Sequence, residues 1–187
     1  MRDDRAMSKA LLLIDVQNDY FPGGAHPLIE PEAAAAAAQR LLEDFRHRGA
    51  PVIHIQHVAE APDATFMRPG TDGVEIHPLV APEGSEPVIQ KAAPNSFLGT
   101  SLERELRGHG IEEIVVAGMM SSMCVDATVR AASDLGFTAT VVHDACAAPD
   151  LRFGGATIPG ATVHAAFMAA LDGNYAAVLS ADEALAG

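Results

Sequence analysis

The chain has 187 residues, 49% of them hydrophobic and 20% charged, enough for one ordinary soluble domain, residues 1–187, that needs no disulfide or metal staple. Its 12 Lys and Arg against 25 Asp and Glu leave a net charge of −13, which repels nucleic-acid backbones and anionic membrane surfaces. Two cysteines, a polar and loose N-terminal segment (residues 1–9) without a signal peptide, and apolar runs well short of ~18 residues place the protein in the cytoplasm with both thiols reduced.

Short apolar runs rich in β-branched residues alternate with helical patterns, the signature of a parallel sheet with helices on both faces. Six strands are expected, at residues 10–16, 52–57, 88–91, 113–117, 138–143 and 175–179. The first helix should run from Pro31 to Arg48, because proline suits a first helical position, Leu41, Leu42 and Phe45 share a face, and Gly49 can close the end. Further helices are expected at 101–108, 123–135 and 160–171. Between Glu60 and Pro87, scattered Pro and Gly residues with no sustained period read as a long irregular connection, and such connections are uncommon unless functional.

In an open parallel sheet the ligand sits beyond the carboxyl ends of the strands, so the polar residues there are the ones to weigh. Asp15 follows four apolar residues at the end of the first strand. Burying it is costly unless it is paired or functional, although an acid capping the next turn is an equal reading. Lys91 ends the third strand, and a lone lysine is ordinarily a solvated group. Cys124 lies between the strand EIVVA and a helix, where free N–H groups favour thiolate; the alternative is a small buried hydrophobe. Cys146 has no such setting and reads as packing. His54 and His57, three apart in a strand, point to opposite faces, and no metal-binding spacing is present.

Taken together, these residues resemble the isochorismatase-like family of cysteine hydrolases. The stretches that carry the resemblance are LLLIDVQNDYF, HIQHV, PGTDGVEIHP, VIQKAAPNSFLGT, VVAGMMSSMCVDATVRAASDLGF and TVVHDACAA, from Ala10 to about Leu179. The resemblance implies a doubly wound, Rossmann-like six-stranded parallel sheet with helices on both faces and a catalytic triad of Asp15, Lys91 and Cys124. It also implies a cis peptide at Met119–Met120, with the amides of Met120 and Cys124 as an oxyanion hole. Gln17, Asn18, Phe21 and Ser122 are then expected to contact the substrate.

Two departures bear on the substrate. Ser121 and Ser122 stand where close relatives carry Thr-His, which alters the pocket wall. The Asp-x-His metal motif of nicotinamidase relatives is missing from IQHVAE, which argues against nicotinamide and against zinc or iron, so no metal or other cofactor is expected. The implied activity is hydrolysis of a C–N bond in a small-molecule amide, carbamoyl compound or lactam through a thioester. A vinyl-ether hydrolase and a catalytically silent oligomeric module are the alternatives. The first generally lacks the cysteine, and the second leaves three filled triad positions unexplained. The resemblance also implies a homo-dimer or homo-tetramer. A carboxylate beside Lys91 should be depressed in pKa, and so should a thiol beside that lysine at a helix start, against the opposing charge of Asp15.

Overall fold

The computed structural model describes residues 9–186; of the expected loose segment, residues 1–8 lie outside the described residues. Six parallel strands form one sheet: β1 (Lys9–Ile14), β2 (Val52–His57), β3 (Val88–Lys91), β4 (Glu113–Met119), β5 (Thr138–Ala147) and β8 (Ala177–Leu179), in the order β3-β2-β1-β4-β5-β8. Strand order reverses at β1, which pairs in parallel with both β2 and β4. That is the switch point where a doubly wound sheet opens a crevice at its carboxyl end.

The sheet is covered on both sides, so β1 is buried along almost its whole length and its run of leucines needs no polar alternation. Leu11 and Leu13 face one layer, packed with Ala35, Ala38 and Leu42 of α1 (Pro31–Arg48). Leu12 and Ile14 face the other, with Leu106 of α2 (Leu102–Gly108), Val129 of α3 (Asp126–Asp134) and Leu171 of α4 (Gly160–Leu171). Each fully buried leucine of this kind contributes ~1.5–3 kcal/mol. Helix α1 has the expected bounds: Pro31 opens it, Arg46, His47 and Arg48 occupy its last turn, and Gly49, at φ 65°, returns its N–H to Phe45 and Arg46.

Elsewhere the boundaries differ from those expected. β1 begins one residue earlier and stops at Ile14, because Asp15 turns into the left-handed region at φ 50°. β4 and β5 run on to Met119 and Ala147, since after a register shift between Val116 and Gly118 the ladder resumes with Gly118 opposite Cys146. A glycine is required at 118, where a Cβ would overlap the Ile14 carbonyl. The helix expected at 123–135 resolves into a π-helical turn, Ser121–Val125, followed by α3. The strand expected at 175–179 is the shorter β8. An antiparallel hairpin of β6 (Leu151–Phe153) and β7 (Ala156–Ile158) and a final α5 (Ala181–Ala186) were not anticipated. The stretch 60–87 is the irregular connection expected, with short turns at Asp72–Val74 and Pro78–Val80.

Candidate active site

Three strand ends and one turn meet at the carboxyl edge of the sheet. β1 delivers Asp15, β2 delivers His57, β3 delivers Lys91, and the π turn after β4 delivers Cys124. Lys91 is at the centre. Its Nζ lies 2.7 Å from Asp15 Oδ2, 3.0 Å from the Ala93 carbonyl, 3.2 Å from His57 Nδ1 and 3.3 Å from Cys124 Sγ. The side chains of Asp15 and Lys91 are both fully buried. Apart from that ammonium, neither carboxylate oxygen of Asp15 has a partner among the described residues, which leaves the group open to the thiol proton.

The backbone at Asp15 is unusual for a non-glycine residue, at φ 50°, a conformation costing ~1–2 kcal/mol that persists only where the surroundings impose it. Here the Asp15 N–H is held by the Ile55 carbonyl at 3.0 Å. The Met119–Met120 peptide is cis. The Met120 carbonyl accepts from the N–H groups of Met123 and Val125 and so closes the nucleophile turn.

Burial sets the protonation equilibria. It lifts the Asp15 carboxyl above its ordinary range against the pull of Lys91. It also pushes the Cys124 thiol up, and the nearby Asp15 charge adds to the rise while Lys91 opposes it. Both directions are opposite to those expected from sequence, because desolvation of two groups inside the sheet edge outweighs one ammonium. Both groups therefore hold their protons more tightly than usual. His57 is shifted down, by burial first and by Lys91 second, and a neutral ring with its proton on Nε2 can accept the Lys91 N–H at Nδ1, 3.2 Å away. The Tyr20 phenol is held well above its usual range by burial and by the charges of Asp15, Cys124 and Asp19.

The residues expected to contact substrate fall into two groups. Phe21 is buried and stacked on the His77 ring at 3.8 Å. Ser122 Oγ is buried with no hydrogen-bond partner among the described residues, while its neighbour Ser121 bonds His164 at 2.8 Å. Gln17, by contrast, is fully buried, and both of its amide hydrogens go to carbonyls, those of His57 at 2.9 Å and Val74 at 2.6 Å. Its Oε1 accepts the His57 N–H at 2.8 Å. It thus ties the end of β2 to the long connection and has no amide hydrogen left for a ligand. Asn18 does similar work, donating to the Asp72 carbonyl at 2.9 Å. Asp19 fixes the same connection through the N–H group of Met67, and its own loop through that of Ala25. Cys146 is buried, 3.4 Å from the Val142 carbonyl, with a thiol pushed up to about 12 by desolvation. His57, at a strand end but read from sequence only as one of a non-metal pair, is the group that sequence reasoning missed.

At its switch point the parallel sheet thus brings an acid, a lysine and a cysteine together. The isochorismatase domain matches residues 9–183, and the chain belongs to the isochorismatase family. It is 52% identical to the isochorismatase family protein YddQ of Bacillus subtilis (strain 168) over 172 residues, 92% of this chain and 96% of that protein. An isochorismatase hydrolase structure from Oleispira antarctica superposes with a TM-score of 0.93 at 50% identity, covering 96% of this chain and 97% of the other. A streptothricin hydrolase of Streptomyces noursei is 38% identical over 76% of this chain and 51% of its own length. The relatives also include a nicotinamidase of Escherichia coli (strain K12), 30% identical over 74% of this chain and 82% of that protein. No helix among the described residues is long and apolar enough to cross a membrane.

Proposed function

We propose that this hydrolase cleaves the C–N bond of a small-molecule amide, carbamoyl compound or lactam through a thioester on Cys124. The observation that carries the reading is the buried contact of Lys91 with both Asp15 and Cys124, at 2.7 and 3.3 Å. Asp15 takes the thiol proton, and the sulfur bonds to the carbonyl carbon of the substrate. The N–H groups of Met120 and Cys124 hold the oxyanion, each worth ~3–4 kcal/mol when well aimed. The C–N bond then breaks as Asp15 returns its proton to the departing nitrogen. Water, deprotonated by Asp15, attacks the thioester, the C–S bond breaks, and the proton passes back to sulfur as the acid leaves. A carboxyl held above its ordinary range by burial is a stronger base than a free one.

Lys91 compensates whichever of Asp15 and Cys124 carries the negative charge during these steps. Ser122, whose hydroxyl lacks a partner among the described residues, and Phe21 are the proposed substrate contacts; Gln17 and Asn18 act by holding the wall behind them. The related streptothricin hydrolase and nicotinamidase support C–N bond chemistry. A panel of aliphatic, aromatic, carbamoyl and lactam amides, assayed for ammonia or amine release, tests the reading. Release from at least one class is expected, and none from any class, with vinyl-ether cleavage in its place, contradicts it.

A homo-dimer or homo-tetramer is the proposed assembly. Its support is the uncharged stretch from Phe153 to Leu171 and the 81% exposure of Phe153. A single species of monomer mass in sedimentation at micromolar concentration contradicts it. A cytoplasmic location is proposed from the two free, buried cysteines.

A further inference from the structure

The Lys91 ammonium has three hydrogens and four acceptors around it. Asp15 Oδ2 and the Ala93 carbonyl, at 2.7 and 3.0 Å, take two of them. The third is contested between His57 Nδ1 at 3.2 Å and Cys124 Sγ at 3.3 Å. A neutral thiol is a weak acceptor and an imidazole nitrogen a good one, whereas a thiolate is a strong one. In the resting site the third N–H therefore belongs to His57, and it passes to sulfur only as sulfur becomes charged. The imidazole is placed for this by Gln17, which holds both the N–H and the carbonyl of His57, at 2.8 and 2.9 Å.

We propose that His57 is a positioning residue of the site: by competing with Cys124 for the third N–H of Lys91, it keeps the nucleophile in its thiol form until substrate is bound. The inference rests on the reading of Cys124 as the nucleophile and adds to it a reason why a buried lysine in contact with sulfur does not hold a permanent thiolate. The lone pair of Nδ1, aimed at the same ammonium, also sets the negative end of a dipole near sulfur. Both effects have one sign, so removing the acceptor favours the thiolate. The charged and titratable groups facing this cluster are Asp15 from β1, Lys91 from β3, Cys124 from the π turn and Tyr20 from the short turn after β1.

The test is the pH dependence of alkylation of Cys124 by iodoacetamide, in which the thiolate sulfur displaces iodide, followed by peptide mass from about pH 5 to about pH 10. Two variants are compared with the unaltered protein. His57→Leu removes the acceptor at similar volume, and His57→Asn keeps an oxygen where Nδ1 lies. The expected result is a profile for His57→Leu displaced downward by about one pH unit, a tenfold faster reaction at a given acidic pH, with His57→Asn close to the unaltered protein. Cys146 should stay unmodified throughout. A Leu profile that is unmoved or displaced upward, or an Asn profile that moves as far as Leu, overturns the inference and leaves the nucleophile reading intact. A downward shift in a protein that releases no amine from any amide upholds the role of His57 and removes the amide reading instead.

Discussion

Lys91 Nζ and Asp15 Oδ2 meet at 2.7 Å with both side chains fully buried, so each charge is tolerated at the sheet edge only because of the other. The bond joins β1 to β3 across the intervening β2. Breaking such a pair from one side leaves an uncompensated buried charge.

Lys91→Ala should accordingly cost ~3–5 kcal/mol of stability and abolish turnover. Its second signature separates structure from chemistry. Without the ammonium nothing opposes the negative charge of Asp15 at sulfur, and the alkylation profile of Cys124 should move toward higher pH, opposite to the shift expected for His57→Leu. Thermal melts and iodoacetamide kinetics on the same variant check both.

Asp15→Asn keeps the shape of the side chain and removes the proton acceptor. Turnover of any amide that the unaltered protein hydrolyses should fall by ~10²–10⁴, the usual span for general acid–base catalysis. Steady-state rates on the best substrate of the amide panel check it, with circular dichroism as the fold control.

Dialysis against EDTA should leave activity unchanged. Asp15, His57 and Cys124 place ligand atoms within 4.8 Å of one another, but the Lys91 ammonium lies among them, 2.7–3.3 Å from all three. A fixed cation already compensates these donors, and a divalent ion there would meet it at contact distance. Loss of activity that zinc or iron restores would contradict this.

Away from the site, Glu86 binds Arg46 at 2.7 Å and the buried His54 at 2.9 Å. Burial works to raise its pKa, yet Arg46, the Glu83 N–H and His54 together draw it down from 4.5 to about 2. The folded value lies below the unfolded one, so its contribution is present above pH 4.5 and is lost as pH falls toward 2. Glu86→Gln should cost ~1–3 kcal/mol at neutral pH and flatten the acid limb of stability in that window. Denaturant melts across the range measure it.

The parallel sheet was legible because β1 carries an unbroken apolar run, which only a strand covered on both faces tolerates. Helix α1 was legible to the residue because its first and last positions are marked by Pro31 and Gly49. Asp15, Lys91 and Cys124 stood out through their place at strand ends and through family resemblance. The hairpin of Leu151–Phe153 and Ala156–Ile158 was not legible, since its side chains are mostly exposed and carry no pattern of burial. The bonds from Gln17 to the His57 and Val74 carbonyls were not legible because those partners lie 40 and 57 residues away. The raised pKa values of Asp15 and Cys124 depend on desolvation, which is a property of packing and leaves no mark in the local sequence.

The covalent claim is tested most directly by acid-quenching the protein during turnover of the best amide of the panel and weighing the peptide that contains Cys124. The account predicts a mass increase equal to the acyl part of the substrate on Cys124, absent in Cys124→Ala, which should be folded and inactive, and present in Cys146→Ala, which should keep nearly full activity. Undiminished turnover by Cys124→Ala, or an acyl group found on Cys146 instead, would contradict it.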